Sequence, residues 1–85
     1  MTLCDLPAFA PAIVTGVRDL TDTDTISRRL RELGFVDGEE VRVVGRGPLG
    51  REPLLVQVGF TRFALRRAEA DRVQVEAVAL REAAE

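Results

Sequence analysis

Few residues in this chain carry chemistry: one thiol, a short run of carboxylates and three groups of arginines. Cys4 stands alone, and with no histidine anywhere to lower its pKa it reads as an incidental thiol rather than a nucleophile. Asp19, Asp22 and Asp24 supply hard oxygen ligands in principle. They lack the glycine and distal glutamate of a calcium loop, so they read as helix caps and solubilising groups. The arginines fall at Arg28, Arg29 and Arg31, at Arg42 and Arg46, and at Arg62, Arg66 and Arg67. One reading makes them a solvated face balanced by Glu32, Glu39, Glu40 and Glu69; the other makes them a recognition surface.

Several function classes are excluded or disfavoured by what is missing. With His 0, the commonest general base and metal ligand is gone, and Ser-His and Cys-His nucleophilic arrangements go with it. No catalytic residue, cofactor site or metal site is therefore expected. "GRGPLG" is followed by neither Lys-Ser/Thr nor a helix, so it is a turn and not a phosphate loop. No apolar run approaches the roughly 20 residues that a membrane helix needs. A single cysteine and the lack of a basic-then-apolar leader lead to the expectation of a reducing, cytoplasmic setting.

A chain of 85 residues supports one small domain. Its net charge of -2 gives no global attraction to phosphate backbones, so nucleic acid is not an expected partner unless a local patch provides one. Aromatic content is 5%, without Trp or Tyr, so the core must come from aliphatic residues, and the four Phe are expected to be mostly core. Neither a base-stacking platform nor an aromatic groove for proline-rich peptides is available on that reading.

The elements that position these residues follow from periodicity. Pro7 and Pro11 rule out a regular helix at the start. "AIVTGVR", Ala12 to Arg18, reads as a strand, with Gly16 at a bulge or close approach. Asp24 or Thr25 caps a helix that runs to about Leu33, with Ile26, Leu30 and Leu33 on one apolar stripe. Gly34 closes the helix and Asp37-Gly38 turns the chain. "EEVRVVGR" and "LLVQVGF" alternate with period two around a "GPLG" reversal. A turn at Gly59 leads to "TRFALRR", "AEAD" forms a helical turn, and "RVQVE" is the last strand. Five short strands and one helix predict a mostly β (α+β by content) small five-stranded barrel, closed or nearly so, with the helix inserted after the first strand.

These elements, in this order, carry a resemblance. "RRLRELGF", "DGEEVRVV", "GPLG" before an alternating strand and "FALRRAEADRVQV" together resemble the ferrous iron transport protein A family (FeoA), over about Leu3 to Glu76. One departure is "PAFAP" where family members usually carry a Pro-Gly or similar glycine turn ahead of the first strand. The resemblance implies an SH3-like barrel over residues 1–76, while the Ala- and Glu-rich residues 77–85 read, by composition, as a tail in the form of a frayed helix. It also implies a cytoplasmic accessory protein with no established catalysis of its own, regulating the membrane ferrous iron permease FeoB through contact with its cytosolic GTP-binding portion. It would sit peripherally at the inner face of the membrane through that partner.

A partner face is expected on the inserted helix and the loop after it, the part a minimal barrel does not need. Arg28, Arg29 and Arg31 would steer the encounter, and exposed parts of Leu30, Leu33 or Phe35 would supply apolar area. The competing assignment gives Leu30 and Leu33 to the core, since such a stripe is what docks a helix to a barrel. The alternative function is a small RNA- or ribosome-associated barrel, because "DGEEVRVVGRG" also looks like the strand entry of KOW-type modules. Steeply salt-dependent RNA binding would distinguish it. A similar barrel ends the metal-dependent iron repressors, behind helix-turn-helix and metal-binding domains that this sequence does not contain.

Overall fold

The structure is a computed structural model that describes residues 1–49 and 52–78. Five antiparallel strands, β1 (Ala12–Val17), β2 (Glu40–Leu49), β3 (Glu52–Val58), β4 (Thr61–Leu65) and β5 (Val73–Ala77), form one sheet in the order β4-β3-β2-β1-β5. Helix α1 (Thr25–Leu33) follows β1, and the short α2 (Arg67–Ala70) links the two outer strands, β4 to β5, along the chain. The ladder is thus nearly closed rather than closed, as expected for a small five-stranded, SH3-like barrel with an inserted helix. The tail expected over 77–85 begins in β5 at Ala77, and residues 79–85 lie outside the described residues.

Period-two alternation builds the interior. Ala12 and Val14 of β1, Val41 and Val43 of β2, Leu54, Val56 and Val58 of β3, Leu65 of β4, and Val73 and Val75 of β5 all point inward and are buried. The register shifts between Val14 and Gly16, which is the bulge that Gly16 suggested. Before β1, a 3-10 turn at Leu3–Asp5 inserts Leu3 and Leu6 into the same core, and Met1 and Thr2 lie along β5, with the Val75 amide donating to the Met1 carbonyl at 2.9 Å.

Two sequence expectations fail here. The "GPLG" reversal is displaced: β2 continues through Gly47 and Pro48 to Leu49, which pairs with Glu52. Gly47 is present because of a close approach, since a Cβ there would run into the backbone carbonyl of Glu52 and Cδ of Pro53. The phenylalanines divide. Phe35 is buried and Phe63 partly buried against it, ring centroids 6.0 Å apart, whereas Phe9 and Phe60 are 65% and 106% exposed. Phe60 occupies the tight turn between Val58 and Thr61, where no element among the described residues packs over it.

Candidate functional site

Helix α1 is fixed at both ends, and the fixing decides which of its side chains face outward. At its start the Asp24 carboxylate accepts from the amides of Ile26 and Ser27, both at 3.1 Å, and from Leu20 N at 2.9 Å. Arg72 Nε adds a 2.9 Å hydrogen bond to the same group. The Leu20 amide first, and the Arg72 guanidinium next, hold this carboxyl well below the usual carboxylate range. Ser27, fully buried, donates its hydroxyl to the Arg18 carbonyl at 2.8 Å.

At its end, Gly34 takes φ 113°, a left-handed conformation open to glycine without a Cβ penalty. The Gly34 amide donates to the Arg31 carbonyl and the Phe35 amide to the Leu30 carbonyl at 3.1 Å, the paired bonds of a Schellman closure. Such a closure brings the residue after the glycine against the one that opened the last turn. Here those are Phe35 and Leu30, 0% and 1% exposed and both in the core.

The predicted site residues therefore separate. Leu30 and Phe35 offer no apolar area to a partner, because helix closure and core packing consume them; the expectation of exposed parts there is corrected. Leu33 is only partly buried, on the flank of the core. Arg31 is exposed but committed: both its terminal nitrogens reach Asp19 at 3.0 Å, and Nη2 also donates to the Val17 carbonyl at 2.7 Å. That contact holds Asp19 below its ordinary pKa. Arg28 and Arg29 are exposed with no ion pair among the described residues, so the free positive charge of α1 is theirs.

The other arginine groups are partly spent on the fold. Arg42 faces Glu40 at 3.5 Å, and Arg46 donates to the Leu6 carbonyl at 2.8 Å. The aspartate run is likewise engaged, Asp19 by Arg31 and Asp24 by Arg72, and among the described residues no group of three metal-ligating side chains comes together. Partial burial and the neighbouring Asp71 push the Cys4 thiol up to about 11, and its Sγ lies 3.7 Å from the Arg67 carbonyl oxygen, so it is a thiol and not a thiolate at neutral pH.

One feature the sequence did not announce lies beside α1. A groove of about 220 Å³ runs between the helix and β4, with Ile26, Arg29 and Leu33 on one wall and Arg62, Phe63 and Ala64 on the other. Nothing in the local pattern of either segment predicts it, because it depends on how far α1 stands from an outer strand. Among the described residues no helix is long and apolar enough to cross a membrane.

The profile of the FeoA domain matches residues 1–77. The chain belongs to the FeoA family. Solved relatives agree in fold. Stenotrophomonas maltophilia FeoA, an SH3 domain protein in complex with zinc, is 66% identical, with 89% of each chain covered and a TM-score of 0.83. Iron(II) transport protein A of Clostridium thermocellum is 32% identical over 93% of this chain and 46% of its own, with a TM-score of 0.80. FeoA of Chlorobium tepidum is 32% identical over 92% and 70%, with a TM-score of 0.79. Among curated proteins none matches. FeoA membership links the chain to ferrous iron transport and accounts for the SH3-like arrangement of its strands.

Proposed function

We propose that this FeoA-family chain is a non-catalytic, cytoplasmic accessory protein of ferrous iron uptake that acts by contact with the cytosolic portion of a FeoB-type permease. The observation that carries the reading is the state of α1. Arg28 and Arg29 are exposed and, among the described residues, free of ion pairs, on an element that the strand ladder does not require, in a family tied to ferrous iron transport. Unpaired surface cations speed and orient encounter with an acidic partner more than they add affinity. Leu33, partly buried beside them, adds apolar area at the edge of the groove.

The test is complementation of ferrous uptake in a strain lacking this chain. Arg28→Glu combined with Arg29→Glu is expected to fold as the parent does and to lose uptake support, because both side chains are exposed and neither makes an ion pair among the described residues. Full uptake with the folded double variant would refute the assignment of the partner face to α1.

A further inference from the structure

Strand β4 is bonded on one side only. It pairs with β3, and among the described residues no backbone group pairs with its other edge, whereas the outer edge of β5 is covered by Met1 and Thr2. The hairpin fixes which groups β4 leaves free. Val58 and Thr61 face each other across the Gly59-Phe60 turn, the position at which a two-residue hairpin closes with a hydrogen-bonded pair. Alternation along the ladder then commits the backbone of Thr61, Phe63 and Leu65 to β3 and turns the N–H and C=O of Arg62 and Ala64 outward. Arg62 and Ala64 are both exposed, and both line the groove whose far wall is α1.

We infer that this edge receives an extended acidic and apolar segment of a partner protein by strand addition to β4. One apolar side chain of that segment enters the groove against Leu33 and Phe63, and flanking carboxylates meet Arg29 and Arg62. An unpaired strand edge is a template for a further strand, main-chain bonds supplying affinity and the pocket supplying selectivity. The charge sign follows from the lining. The two arginines of the lining, Arg29 and Arg62, outnumber its one carboxylate, Glu69: among the described residues Arg29 has no ion pair, Arg62 Nε donates to the neutral amide oxygen of Gln57, and Glu69 accepts from the Arg66 amide at 2.7 Å. A second copy is the poorer occupant, since β4 against β4 would set Arg62 and Arg66 of each copy against the same basic edge. The inference rests on α1 being the partner face proposed above, and adds how the partner's backbone is held.

The experiment titrates the isotope-labelled full chain with synthetic peptides tiling the cytosolic portion of the permease from the same organism, and in parallel with that portion intact. The expected result is binding of an acidic, apolar-containing peptide that slows amide exchange at Arg62 and Ala64 at least tenfold. Affinity should fall at least tenfold when alternate backbone nitrogens of the peptide are methylated. Ala64→Pro, which removes an outward N–H without touching the β3 ladder, should weaken binding similarly while Ala64→Ser does not. If Ala64→Pro fails to fold, the methylated peptides carry the test alone. Peptide binding that shifts Arg28 and Arg29 and leaves exchange along β4 unchanged overturns strand addition. Binding of the intact portion but of no peptide overturns it too, by assigning recognition to a folded surface. Failure of the peptides, the intact portion and the detergent-solubilised full permease alike removes the permease reading itself.

Discussion

Arg72 Nε donates to Asp24 Oδ2 at 2.9 Å, an ion pair between side chains only 11% and 4% exposed that ties the first residue of the α1 cap to the turn before β5. The same carboxylate also holds the amides of Leu20, Ile26 and Ser27. One group therefore starts the inserted helix, closes the loop before it and anchors both to the barrel.

Asp24 makes stability depend on acid. Its folded pKa lies below the unfolded value, so its contribution is complete above the unfolded pKa of about 3.9 and is lost as pH falls through the folded one. Asp24→Asn keeps a capping oxygen but not the charge. The thermal midpoint of the parent should exceed that of Asp24→Asn by a constant margin from pH 8 to 5, and the margin should shrink progressively below about pH 4. An equal margin at all pH values would show that the charge on Asp24 contributes nothing.

Leu30 is a core residue, and its replacement should act through the fold. Leu30→Ala should cost about 2–5 kcal/mol, as loss of a buried leucine does, in a domain whose total stability is about 5–15 kcal/mol. Leu30→Arg should leave no folded domain by circular dichroism. A folded Leu30→Arg protein would contradict its placement beside Phe35.

Gly47→Ala directs a methyl group at the Glu52 carbonyl, which is backbone and cannot swing aside. Overpacking of this kind costs about 1–3 kcal/mol. Chemical denaturation should register that loss with an unchanged slope, while Gly16→Ala, whose Cβ meets nothing within 4 Å, should be nearly neutral. Equal stability of the two variants would contradict the close approach of β2 and β3.

Cys4 should be slow to alkylate. With its pKa raised to about 11 from an ordinary 9.0, the thiolate fraction near neutral pH falls about a hundredfold. Iodoacetamide at pH 7.5 should modify it about two orders of magnitude more slowly than a free cysteine peptide, and the gap should close on unfolding in urea. Parity in the folded state would contradict burial as the cause.

What the sequence made legible was local. A cap at Asp24 or Thr25, the Gly34 stop, a bulge or close approach at Gly16 and the alternating valines each follow from residue type and spacing within a few positions, and the structure has Asp24 as the cap, a bulge at Gly16 and the valines inward. What it concealed was distant. Arg31 looks like Arg28 and Arg29 until Asp19 and the Val17 carbonyl close on it from the end of β1. Gly-Pro after a strand reads as a turn, and only the opposing Glu52 shows that Gly47 is a contact within the ladder. Phe60 looks like core by type, yet the turn leaves it with nothing to pack against. The groove beside β4 belongs to neither segment alone.

On the function proposed above, the free face of α1 is what meets the permease. An NMR titration of the labelled chain with the cytosolic portion of the permease, with and without guanine nucleotide, and then with the full permease in detergent, tests it directly. Shifts should be confined to α1 and the adjoining β4 edge, and absent when Arg28→Glu and Arg29→Glu are combined. Shifts centred on another face, or a spectrum unchanged by both forms of the permease, would contradict it.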